Sequence, residues 1–418
     1  MLGVFHKAWK VKDLRKKLLY VLLILFIFRI GSFIPVPGLN QEALREMMAA
    51  SVGDMGILAM LVGGEMGTIF MMGIGPFITA SIIMQLLTVA IPPLERMKKE
   101  GAEGRKKINV ITRYLAVGMA LLQAAGMVFS WRGVFTHQNI GVYLVATLTM
   151  VAGTMFIMWM SELLTEKGLG SGASIFIFAN ILSALPRGLI MLYDASLGNV
   201  WNALSVAIIA LSFVFMVALV VLISEGQRKL PVQYSKKMVG RQMFGGQSSF
   251  IPVKVNLAGV LPIIFAMSVM GFPDMVRMFF PENVWLGNMA GFLDMSSFTG
   301  APIYVVLIFA FTFFYASFSI NPTEMSENLK KNGGFIPGIR PGKPTTEYIQ
   351  RTVTRMSWIG AMFYAIIALL PIVMEWIFGI PVGFGGTTII IAVNVALDLA
   401  KKIEAQLLMR NYKGFLAG

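Results

Sequence analysis

Apolar stretches about as long as a bilayer is thick recur along almost the whole chain, and they limit what it can fold into more than any other feature. A hydrocarbon core of about 30 Å takes roughly 20 apolar residues in a helix. Stretches of this kind fall at 18–34, 69–91, 109–131, 142–162, 173–193, 203–223, 257–279, 302–320, 357–376 and 384–400. The second is interrupted, because Gly73, Gly75 and Pro76 break the helical run ahead of Phe77–Val89. A shorter apolar piece, Met55–Met66, precedes it and is too short to span. The 418 residues have length enough for two or three soluble domains, but 56% are hydrophobic and 13% charged. Soluble proteins carry about 25% charged residues. The expected fold is therefore an all-α polytopic membrane protein with about ten spans.

The basic residues orient those spans. With a cytoplasmic N-terminus and alternating helices, 30 of the 35 Lys and Arg fall on the cytoplasmic side. Arg45, Arg132, Arg187 and Arg277 fall on the opposite side, and Arg29 lies within the first span. Cytoplasmic loops of membrane proteins are enriched in Lys and Arg, so this split supports both the number of spans and their direction. It also accounts for most of the +14 formal charge without any nucleic acid. An even number of spans puts both termini in the cytoplasm. The halves 1–200 and 201–418 each hold five spans, and because five is odd the second half is expected to sit inverted relative to the first. The basic segment Lys7–Lys17 runs into the first span with no small-residue cleavage site after it, so it does not read as a cleaved signal peptide.

Two cytoplasmic segments are long for simple connectors. Residues 225–256 alternate apolar and basic positions on either side of Gly240, Gly245 and Gly246, a pattern that predicts a projecting β-hairpin. Residues 321–356 place three prolines close behind Gly333 and Gly334, which predicts a loop ordered by specific turns. Basic loops of this kind fit ribosomal RNA, an acidic protein or anionic lipid as partners, or serve only to set topology.

Several chemistries are disfavoured. The chain has no cysteine, so disulfides, thiolate catalysis and Cys-based metal sites are excluded. Its two histidines, His6 and His137, are far apart in sequence. Ion-coupled transporters usually carry ionisable side chains near mid-membrane. Here Glu162, Glu375 and Asp398 lie at or near span ends, and Arg29 is close enough to the outer end of its helix to snorkel. Gly170-Ser-Gly172 and Gly64-Glu-Met-Gly67 lack the spacing and following Lys-Ser/Thr of a phosphate-binding loop. No catalytic role, cofactor or metal is expected. A secondary transporter of small solutes is the alternative reading to a passive channel.

Longer motifs then point to a family. Arg29-Ile-Gly-Ser-Phe-Ile-Pro-Val-Pro-Gly38 closes the first span, Phe77-Ile-Thr-Ala-Ser-Ile-Ile-Met-Gln-Leu-Leu87 lies in the second, and Glu100-Gly-Ala-Glu-Gly-Arg-Lys-Lys107 follows it. Gln247-Ser-Ser-Phe-Ile-Pro-Val-Lys-Val-Asn256 leads into the seventh span. Asn321-Pro through Gly338-Ile-Arg-Pro-Gly342 follows the eighth, and Phe384-Gly-Gly-Thr-Thr388 opens the tenth. In this order, and over essentially the whole chain, they resemble the SecY family of protein-conducting channels.

The resemblance implies an hourglass-shaped pore between two inverted five-helix halves, through which polypeptides cross the bacterial plasma membrane or leave sideways into lipid. It implies an aliphatic pore ring of Ile78, Ile82, Ile177, Ile181, Ile264 and Ile391, with Leu261 flanking. From spacing alone these residues read as ordinary core packing. Met55 to Thr68 corresponds to a plug, including Met55, Leu61, Gly63 and Gly64, although the stretch after Val62-Gly63-Gly64 is shorter than the usual pattern. Gln123 and Asn256 occupy the positions of lateral-gate polar residues. Arg241 and Arg340 lie at the tips of the two long loops, which in such proteins contact the ribosome or the motor ATPase SecA. Arg410–Phe415 resembles the family's short cytoplasmic tail and is expected to join the same docking surface. Partners implied are the small membrane subunits SecE and SecG, SecA, the ribosome, signal-sequence-bearing polypeptides and membrane lipid.

Overall fold

Each of the ten expected spans coincides with a helix or a pair of helices in the computed structural model, which describes residues 9–50, 67–196, 200–234, 237–239, 242–244, 248–257, 259–280, 283–378 and 386–416. The helices are α1 (Lys12–Gly31), α2 (Gln41–Ala50), α3 (Gly75–Ala90), α4 (Pro92–Lys99), α5 (Ala102–Ser130), α6 (Ile140–Lys167), α7 (Gly172–Ser196) and α8 (Val200–Glu225). Strands β1 (Gln227–Tyr234), β2 (Lys237–Val239), β3 (Gln242–Phe244) and β4 (Ser248–Lys254) follow. After them come α9 (Leu261–Met270), α10 (Phe272–Arg277), α11 (Val284–Leu293), α12 (Gly300–Ser319), α13 (Pro322–Lys331), β5 (Gly334–Phe335), α14 (Lys343–Phe378) and α15 (Gly386–Leu416). Among the described residues, five helices are long and apolar enough to cross a membrane, and the bent pair α3–α4 makes a sixth. The chain divides into two compact units, the first holding Met1–Val206, Gly271–Phe292 and Pro381–Gly418, the second Ala207–Met270 and Leu293–Ile380.

In the first unit the helices are apolar on both faces. On α1, Ile24 and Phe28 are buried while Leu22, Leu23, Phe26 and Ile30 are exposed. Water would penalise that outer face; lipid does not. Where α5 packs on α3 and α6, small residues bring the backbones close: Ala116, Ala120 and Ala124 recur every four residues and are fully buried. The expected break in the second span is present. Residues 67–74 form turns, and α3 begins at Gly75-Pro76. At its far end Ile91 is extended (φ −109°, ψ 110°), as a residue before proline prefers, and α4 leaves α3 at 99°.

The Arg29–Gly38 motif has a structural partner. Val36 N donates to Gly67 O at 2.8 Å, Ile69 N donates to Ile34 O at 3.0 Å, and Pro35 bridges Thr68. The turn after α1 is thus stitched to the segment entering α3. At the basic end of α1, Leu14 packs with Leu169 and Ile403, and Lys17 Nζ donates to Gln406 Oε1 at 3.4 Å.

In the second unit a three-stranded sheet of order β4-β1-β5 carries the predicted hairpin. β1 and β4 pair antiparallel from Gln227↔Lys254 to Gln233↔Ser248. Strand alternation turns Leu230, Val232 and Val253 inward onto Leu329, Ile336, Ile349 and Val353. β5 pairs with the end of β1 through Gln233↔Phe335 and Tyr234↔Gly334, so the two long cytoplasmic segments share one sheet and one core.

Two expectations are corrected. Residues 257–279 are not one span: the helix stops at Met270 and restarts at Phe272, where Pro273 takes a first-turn position and has no N–H to continue the previous ladder. Residues 321–356 are mostly helical rather than a turn-ordered loop. Asn321 caps α13 by accepting from Glu324 N at 3.3 Å, with Pro322 at the first helical position. α14 begins at Lys343, well ahead of the apolar run.

Candidate functional site

Five of the six ring candidates lie in the first unit. Ile78 and Ile82 are one turn apart on α3, and Ile177 and Ile181 one turn apart on α7, so each pair occupies one helix face. Ile78 and Ile177 pack against the same core, built from Phe28, Phe70, Ile74, Ile157 and Phe176. Ile82, Ile181 and Ile391 are buried, and α15, which carries Ile391, packs on α7. Ile264 and Leu261 lie on α9 in the second unit and are half-buried. All are aliphatic, so the chemistry available is exclusion of water and ions rather than proton or group transfer.

The plug candidates Met55, Leu61, Gly63 and Gly64 lie outside the described residues. The end of that segment is described. Gly67 takes a positive φ of 77° between the side chains of Leu39 and Leu44, and Thr68 is buried.

The two gate candidates have separate partners. Gln123 on α5 is half-buried, and its Nε2 donates to Met275 Sδ on α10 at 3.8 Å. One turn along, the Phe279 ring approaches to 3.1 Å of a Cβ built at Gly126. Asn256 stands in the non-helical link between β4 and α9. Its amide donates to the Tyr364 hydroxyl, which itself donates to Gly259 O at 2.7 Å. Sequence reasoning missed Tyr364, which reads as one more apolar residue of its span. The available signal was a tyrosine deep in a membrane helix, since a buried hydroxyl needs a partner.

Arg241 lies outside the described residues. Arg340 is exposed, and its carbonyl accepts from Thr345 Oγ1 at 2.9 Å at the turn into α14. The outer sheet face between these loops combines cations and rings. Lys229 Nζ lies 4.7 Å from the Phe250 centroid, and Phe250 and Phe335 are exposed.

Charges cluster at the ends of the spans. Arg113 Nε donates to Glu162 Oε1 at 2.6 Å, joining α5 to α6. Beyond the span, a hydrogen bond from Lys99 holds the Glu95 carboxyl below its usual range. Burial, with Arg105 nearby, lowers the Lys98 ammonium. Among the described residues no group of three or more His, Asp or Glu is placed to hold a metal ion.

Comparison with known proteins narrows the class. The fold is that of a membrane channel for polypeptides. A solved protein-conducting channel matches with a TM-score of 0.61 at 18% identity, over 92% of this chain and 91% of that one. Sec61 from the canine ribosome–channel complex of the endoplasmic reticulum matches at 0.58 and 16% identity, over 92% and 91%. The SecY family model matches residues 68–400. The chain is 42% identical to the protein translocase subunit SecY of Halalkalibacterium halodurans over the full length of both. It is 41% identical to that of Aquifex aeolicus over 98% of both. The chain belongs to the SecY family.

Proposed function

We infer that this chain is the channel subunit of a Sec protein translocase, conducting unfolded secretory polypeptides across a bacterial plasma membrane and releasing membrane segments into lipid through a lateral gate. The full-length identity to translocase subunits carries this reading. Ile78, Ile82, Ile177, Ile181, Ile264 and Ile391 form the pore ring. Such a ring dewets when empty and yields around a passing chain, which limits ion leak. The burial of Ile82, Ile181 and Ile391 supports a closed resting ring. Residues 55–68 act as the plug, and Gln123 and Asn256 bias the gate. One interhelical hydrogen bond in a membrane is worth about 0.6–2 kcal/mol, enough to bias closure without locking it.

Both termini are cytoplasmic, and the halves 1–200 and 201–418 are inverted relative to each other. The linked loops bearing Arg241 and Arg340 dock the motor SecA or the ribosome, and SecE and SecG complete the complex. The shared sheet and core of the two loops support a single docking platform. The driving energy comes from these partners, and the channel itself does no enzymatic work.

Because the chain lacks cysteine, one introduced thiol reports cleanly. In Ile181→Cys, a stalled precursor with a single cysteine in its translocating segment is expected to form a disulfide that depends on a functional signal sequence. A lipid-facing cysteine serves as control. No crosslink at any ring position, with the precursor targeted and the channel folded, overturns the pore assignment and favours a solute transporter. Copurification with small one- or two-span subunits supplies an independent check.

A further inference from the structure

The link from β4 into α9 is held by one face of α14. Gly360 and Tyr364 are one turn apart on that helix. A Cβ at Gly360 would lie 2.9 Å from Val255 O, so only glycine lets the link pass this closely. One turn on, Tyr364 is 3% exposed and its hydroxyl is used in both directions. It donates to Gly259 O at 2.7 Å and accepts from the Asn256 amide. Gly259 takes φ +63°, a left-handed turn that aims its carbonyl without a side-chain penalty. An asparagine amide on a non-helical link would otherwise rotate freely; here a rigid ring from a 36-residue helix orients it.

We propose that Tyr364 is a positioning residue for the gate: its hydroxyl fixes the Asn256 carboxamide and pins the head of α9, so that the bias between closed and open gate is set through Tyr364 as well as Asn256. This rests on the gate role given to Asn256 above. Removing the hydroxyl frees the carboxamide and the link together, which loosens closure and admits precursors with weak signal sequences.

The test measures translocation by the intact complex in proteoliposomes for a precursor with an intact signal sequence and one with a defective signal sequence. The variants are Y364F, N256A and the double variant, each first matched to the parent in melting temperature and yield. Y364F and N256A are each expected to raise the defective-to-intact ratio by about threefold to tenfold, the factor that one interhelical hydrogen bond implies. The double variant should exceed neither single by more than about twofold, because both break one linkage. If N256A shifts the ratio and Y364F leaves it unchanged or lowers it, this inference fails and the gate reading stands. Effects that multiply in the double variant also overturn it, since the residues then act independently. If N256A changes nothing, the gate role of Asn256 falls, and the inference with it. A Y364F variant that melts several degrees lower is replaced by Y364W, which keeps an aromatic ring without the hydroxyl. An unchanged ratio in Y364W, with N256A shifted, overturns the inference equally.

Discussion

Gly334 lies against the ring of Tyr234, its partner across the β1–β5 ladder: a Cβ at 334 would sit 2.9 Å from Tyr234 Cε1 and 3.3 Å from Leu329 Cδ2. This contact ties the second long cytoplasmic segment to the hairpin of the first. In Gly334→Val the ring or the strand must move, at a cost of about 1–3 kcal/mol as in other overpacked sites. Amide exchange over 333–336 and at the end of β1 is expected to quicken, with α12 unaffected. Unchanged exchange there would show that the two segments hold together without this ladder.

A second close approach closes the turn between α4 and α5. A Cβ at Gly104 would fall 1.7 Å from Met97 O, a backbone atom that cannot swing aside. Gly104→Ala is expected to cost at least about 2 kcal/mol. Gly118, on the same helix α5, has nothing within 4 Å, and Gly118→Ala should be neutral or stabilising by up to about 1 kcal/mol. Thermal melting of the two purified variants compares them directly. Equal losses would contradict the packing described.

Arg113 and Glu162 meet across α5 and α6, 49 residues apart in sequence. Both are partly exposed, at 48% and 30%, so solvent screening limits their coupling to about 0.2–1 kcal/mol. A double-mutant cycle with Arg113→Gln and Glu162→Gln is expected to show this coupling at low salt and lose most of it at high salt. Salt-independent coupling would point to packing rather than charge.

The ring makes a prediction about ions. Ile82→Asn combined with Ile391→Asn puts hydrogen-bonding groups where a dewetted constriction is expected. Single-channel recordings of the resting complex should show severalfold higher ion conductance than the parent. A parent-like seal would separate these residues from the barrier.

Asn321 caps α13. Asn321→Ala is expected to cost about 1 kcal/mol and to leave the apolar spans intact. The effect should appear as faster exchange at Glu324, and its absence would mean that Pro322 suffices to start the helix.

The amino-acid pattern by itself determined the medium and most of the spans. Runs of about 20 apolar residues and a 30-to-4 charge split are local or additive properties, and lipid punishes departures from them. The break at Gly75-Pro76 was legible because proline acts on its own backbone. The hairpin was legible from its alternation, and the SecY family from ordered motifs. Other features depended on residues far apart in the chain. Nothing near Phe335 announces its pairing with Gln233, and nothing in 357–376 marks Tyr364 as the partner of Asn256. The break at Gly271 stayed hidden because Gly-Phe-Pro is also tolerated inside membrane helices, where neighbouring groups satisfy the freed backbone. Which isoleucines are buried was likewise decided by tertiary packing, since in a membrane both faces of a helix are apolar and periodicity no longer tells inside from outside.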